Sequence, residues 1–111
     1  MELKNEKDII ELFKAVGSAS RMKIIEVLQT EDMNLNQISE ILDMPASSVT
    51  VNIKKLEESG LIETEYRPGS HGSQKICSLN YDKILVHLPG SRELKDENLI
   101  ETSMPIGNYK D

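Results

Sequence analysis

Between Leu35 and Leu79 the chain sets down an order of elements that few folds accommodate. Leu35, Ile38, Ile41 and Leu42 recur at three- and four-residue intervals, which marks a short helix. The Asp43, Met44, Pro45 run ends it, because the residue before a proline is driven out of helical geometry. Proline suits the first turn of a helix, so a second helix is expected to begin here, capped by Ser47 or Ser48 and running to about Ser59. Val49, Ile53 and Leu56 form its inward face. Gly60 falls where a helix closes in left-handed geometry, and Leu61 and Ile62 return to the core. A strand is expected over 62–67, a tip over 68–74 and a returning strand over 75–79. A seven-residue tip with two glycines exceeds a tight turn, so the hairpin is expected to project as a mobile loop.

Two helices precede this region. Ile9, Ile10, Leu12, Phe13 and Val16 lay a broad apolar stripe along a helix over 6–16, which Gly17 stops. Ser18 can cap the next helix, through Gln29, where Met22, Ile24, Ile25, Val27 and Leu28 suggest a central helix buried over much of its circumference. A polar turn over 30–34 leads into the third helix. After the hairpin, Ile84, Leu85 and Leu88 allow a last short helix over 81–88, closed by Pro89 and Gly90. The expected fold is mainly α with a small β-hairpin, in the order α-α-α-α-β-β-α. That order is a winged helix-turn-helix spanning residues 1–88, with 89–111 a polar, weakly periodic linker or C-terminal tail.

Composition bounds this reading without choosing it. One domain is all that 111 residues allow. A single cysteine, Cys77, excludes an intrachain disulfide, and no apolar run resembles a signal peptide or a membrane span, so a cytoplasmic location is expected. Cys77, alone in a strand, is expected to be a small buried hydrophobe. The net charge of −6 opposes nucleic-acid binding when taken as one number. Its distribution reverses that. Residues 1–43 carry five basic and nine acidic groups, residues 44–81 four of each, and residues 82–111 four basic and six acidic. Within the middle segment, 45–56 holds Lys54 and Lys55 with no acid, and 66–81 holds Arg67 and Lys75 with none.

A major groove admits one α-helix, so a reader of DNA needs short polar side chains near a helix N-terminus and cations further along. With Val49, Ile53 and Leu56 inward, the helix turns Ser47, Ser48, Thr50, Val51 and Lys54 outward. Their hydroxyls suit base edges or phosphate, Val51 a thymine methyl, and Lys54 phosphate or guanine. An ordinary amphipathic helix with solvated lysines would show the same pattern, and the preceding short helix, the break and the following hairpin tip the balance towards DNA.

At this point the residues resemble a known family. The run SSVTVNIKKLEESGLIETEYRPGSHGSQKICSLN is similar to the recognition helix and wing of ArsR/SmtB-type transcriptional regulators, and LFKAVGSASRMKIIEVL resembles their opening. The resemblance covers about 12–88. It implies DNA contacts at Ser47, Ser48, Thr50, Val51 and Lys54, wing contacts around Arg67, Ser70, His71 and Lys75, and a homodimer formed through the first and last helices. Metal-sensing members carry a Cys-x-Cys-like motif where this chain reads NLNQISEIL and an Asp-x-His pair where it reads YDKILVHL, so neither ligand set is present. No metal and no cofactor are expected, and His71 is better explained as a wing residue near phosphate. The end, ETSMPIGNYKD, weakly resembles the start of a further β-rich region of longer regulators, which would place the effector site outside these residues.

The leading expectation is thus a dimeric, sequence-specific regulator of ArsR-like type binding double-stranded DNA through the helix over 47–59 and the wing over 67–75, with no membrane partner and its effector unknown. The alternative is a winged helix used as a protein-interaction module with an acidic docking face. No nucleophile, base and orienting group cluster in sequence, and no glycine-rich phosphate loop follows a strand, so an enzyme is not expected.

Overall fold

A computed structural model of the chain describes residues 1–69 and 72–90. Nine elements follow in order: β1 (Glu2–Leu3), α1 (Glu6–Val16), α2 (Ala19–Leu28), β2 (Met33–Asn34), α3 (Leu35–Leu42), α4 (Ala46–Glu58), β3 (Ile62–Gly69), β4 (Gly72–Leu79) and β5 (Leu85–Val86). Four helices and an antiparallel hairpin agree with the fold class expected from the sequence.

Local chemistry accounts for the helix ends. Asn5 accepts hydrogen bonds from the Lys7 and Asp8 amides at the start of α1, and the Gly17 amide donates to the Phe13 carbonyl at its close. A Cβ on Gly17 would stand 2.9 Å from that carbonyl oxygen, so glycine is required by space. The Ser18 hydroxyl caps α2 as expected, accepting from the Arg21 amide at 3.3 Å. At α3, Asn34 and Gln37 exchange side-chain and backbone bonds, both 2.8 Å, in a capping box. Asp43 then takes a left-handed conformation (φ 54°, ψ 47°), which turns the chain towards α4.

α4 begins earlier than expected. Pro45, not Ser47 or Ser48, is its N-cap, and the Pro45 carbonyl accepts from the Ser48 and Val49 amides. Pro45 stands just outside the helix (φ −59°, ψ 144°), two to three residues ahead of the expected caps, so both serines fall inside the first turn. Gly60, with φ of 87°, closes the helix as expected. Val49, Ile53 and Leu56 are buried and join Leu12, Ile24, Leu28, Met33, Ile38, Leu61, Ile62 and Cys77 in one core.

Three further expectations fail. Only Ile24 and Leu28 of α2 are fully buried, and Met22 is 52% exposed, so this helix is not enclosed over most of its circumference. The wing strands are longer than read from sequence. Pairing continues past Tyr66↔Lys75 and Pro68↔Ser73 to Gly69↔Gly72, which leaves residues 70 and 71 as the connection, outside the described residues. β2 adds a third strand in the order β2-β4-β3, with Met33 opposite Cys77. Finally, 81–88 forms no helix. Leu85 and Val86 instead pair in parallel with Glu2 and Leu3, and the His87 amide donates to the Leu3 carbonyl at 2.9 Å. Ile84, Val86 and Leu88 also fit a period of two, and so short a segment takes whichever partner the fold supplies. The expected tail over 89–111 lies outside the described residues from 91 onward. Among the described residues, no helix is long and apolar enough to cross a membrane.

Candidate nucleic-acid interface

The α3–α4 corner presents α4 with its core face covered and its opposite face open. Ser47, Thr50, Val51 and Lys54 are exposed and recur at helical spacing, with Val51 at 55% exposure. Ser48 is half-buried, at the border between the two faces. The Thr50 hydroxyl donates to the Ala46 carbonyl at 2.9 Å, so its lone pairs remain to accept. No acidic residue stands in the first turn of α4, and no side chain caps it. Its leading amides therefore point outward with the positive end of the helix dipole, a setting that favours a phosphate oxygen.

β3 carries the wing away from this helix. The Thr64 hydroxyl donates to the Glu57 carboxylate at 2.7 Å, which ties the strand to α4. Side chains alternate between the two faces of the hairpin. Tyr66 and its cross-strand partner Lys75 share a face with the Thr64↔Cys77 pair, which packs on the core. Arg67 lies on the other face, hydrogen-bonded to the Glu65 carboxylate and 3.8 Å from that of Asp32. The bond to Glu65 pushes its pKa above the ordinary arginine value. Arg67 is thus already occupied by carboxylates, whereas no carboxylate among the described residues lies within ion-pair distance of Lys54 or Lys75. Ser70 and His71, the remaining expected wing contacts, lie outside the described residues.

Sequence reasoning passed over Tyr66, which is 72% exposed on the wing. The signal was available, because position 66 shares strand parity with the inward Thr64 yet lies beyond the end of the core. It also missed the contact of the Arg21 guanidinium, which donates to Asn52 of α4 at 2.9 Å. That contact joins residues 31 apart and has no local signature.

A second exposed feature is apolar. Ile10 and Phe13 of α1, 46% and 54% exposed, lie on one helical stripe with Val16. Val16 in turn lines a groove with Met22, Ile25, Leu79, Tyr81 and Ile84. Cys77 is wholly buried, and desolvation pushes its thiol pKa up to about 11. Among the described residues no three His, Cys, Asp or Glu side chains assemble as a metal site.

The chain is similar to known helix-turn-helix proteins. Residues 16–65 match the model of a helix-turn-helix domain family. The HTH-type transcriptional regulator KmtR of Mycobacterium tuberculosis is 29% identical over 56 residues, half of this chain and 43% of that protein. The match therefore spans less than half the length of the curated relative. The homodimeric winged helix-turn-helix DNA-binding domain (fragment 1–100) of a possible ArsR-family regulator from Mycobacterium bovis superposes with a TM-score of 0.61 at 18% identity, over 68% of this chain and 67% of that one. An ArsR family transcriptional regulator of known crystal structure gives 0.59 at 21% identity, over 68% and 78%. The fold is a winged helix-turn-helix.

Proposed function

We propose that this chain is the DNA-binding part of an ArsR-type transcriptional regulator that reads duplex DNA as a homodimer, with residues 1–88 as the module. The observation that carries the reading is the outer face of α4, where Ser47, Thr50, Val51 and Lys54 stand exposed on an acid-free, uncapped helix start. Ser48 borders that face. Lys75 is the wing cation left to meet phosphate, with Ser70 and His71 as the further contacts the family resemblance implies. Arg67 contributes only when phosphate displaces its carboxylate partners.

The stripe of Ile10, Phe13 and Val16 with the adjoining groove is the surface we assign to the second copy. Tyr81 and Ile84, after β4, line the same groove. In a dimer the two α4 helices enter successive major grooves, giving half-sites about 10 bp apart. The reading places the protein in the cytoplasm and includes no catalytic role.

A mobility-shift titration with the DNA upstream of the protein's own gene, at two salt concentrations, tests the proposal. A discrete complex whose affinity falls with salt is expected. The net charge of −6 and the occupied Arg67 favour a second reading, a protein-interaction module. Absence of a discrete complex at every salt would select it.

A further inference from the structure

Arg21, in the first turn of α2, reaches two other helices at once. Its Nε donates to the Ala15 carbonyl and its Nη2 to the Lys14 carbonyl at 3.1 Å, both in the last turn of α1. These carbonyls lie beyond the reach of α1's own amides and carry the negative end of its dipole, so a cation there both satisfies and stabilises them. The third arm, Nη1, donates to the Asn52 side-chain oxygen on α4 at 2.9 Å. Asn52 passes the link on through its Nδ2, to the Ser48 carbonyl at 2.9 Å and the Ser48 hydroxyl at 3.4 Å. A continuous run of hydrogen bonds thus starts at the end of the helix that bears Ile10 and Phe13 and finishes in the first turns of α4.

We propose that Arg21 is a positioning residue that sets α4 relative to α1 through Asn52, and so sets the separation of the two α4 helices in the dimer. The proposal rests on the reading of α4 as the DNA helix and α1 as the dimer helix. Val49, Ile53 and Leu56 already hold α4 to the core, but apolar burial is non-directional and tolerates small slides and rotations. The planar guanidinium fork does not. It fixes three acceptors on two helices in one geometry, which a lysine ammonium cannot reproduce. A dimer that must match two half-sites at one spacing needs that restraint, since a misplaced helix loses contacts in both grooves.

The test is a double-mutant cycle on the full chain with Arg21→Lys, Asn52→Ala and the pair, reading DNA affinity by titration, dimerisation by sedimentation and folding by thermal melting. Each single variant is expected to stay folded and dimeric while its affinity falls about tenfold, the scale of one charge-assisted hydrogen bond. The double variant should bind no more weakly than the weaker single, because both changes cut one link. Affinities within twofold of wild type for both singles, or fully additive losses that mark Asn52 as an independent DNA contact, would overturn the proposal.

A wild-type chain that binds no DNA removes the functional reading, and the positioning claim is then decided by amide chemical shifts of Arg21→Lys. Perturbation reaching residues 48–52 of α4 supports it. Perturbation confined to α1 and α2 overturns it.

Discussion

Lys54 and Arg67 carry the same charge in different surroundings, and that difference sets their expected effects. Lys54 stands on the open face of α4, whereas Arg67 is held by Glu65 and Asp32. Lys54→Ala should therefore weaken DNA binding by roughly tenfold, Arg67→Ala by less, and Glu65→Gln should tighten it by a few-fold by freeing the guanidinium and removing a negative charge. Titrations of the three variants at one salt concentration check the ranking. Cys77 gives a residue-scale prediction about pH. Burial raises its pKa to about 11, so the thiol stays protonated in the folded chain while the unfolded chain ionises from about 9 upward. The unfolded state then binds fewer protons, and stability present below that range is lost as pH rises through it. Denaturant titrations at pH 7 and pH 10 should show the fall, and it should be smaller in Cys77→Ala compared with its own neutral-pH value. The inward places of Val49, Ile53 and Leu56 and the left-handed Gly60 were legible in the sequence, since each follows from helical spacing or backbone sterics. The approach of Asp32 to Arg67 was not, because it arises only through the fold, whereas Glu65 shares the strand face of Arg67 by parity.

At the scale of elements, the caps decide where α4 starts and the core decides that it stays. Ile53 is 1% exposed, and Ile53→Ala should cost about 2–5 kcal/mol through lost burial and an unfilled cavity, measured by chemical denaturation. α4 has no side-chain cap, so Pro45→Ser should add helix stability of up to about 1 kcal/mol if its hydroxyl takes a free amide. The same bond would occupy a donor meant for phosphate, so DNA affinity should fall as the melting temperature rises. All four helices were legible from periodicity and punctuation, whereas the wing length and β2 were not. Pro68 and the glycines read locally as a loose tip, yet cross-strand pairing of eight residues on each side extends the strands to Gly69 and Gly72. β2 is two residues long, too short for any pattern of its own.

For the whole molecule, the two ends of the described domain meet where β1 pairs with β5 and the His87 ring contacts the Glu2 carboxylate. That hydrogen bond holds Glu2 below the ordinary carboxylate range. The partner of 85–86 lies more than eighty residues away in sequence, which is why a short helix was the natural local reading there. The exposed Ile10 and Phe13 would be a liability on a monomer, and Phe13→Asp should yield a folded monomer by sedimentation with lowered DNA affinity. The central claim is that a dimer meets DNA through α4, and the salt dependence of binding measures it most directly. Each released phosphate contact changes the slope of log K against log salt by about 0.9, so Lys54→Ala in a dimer should flatten the slope by about 1.8. A discrete dimer complex with that change is the predicted result; an unchanged slope, or no discrete complex at any salt, would contradict the account.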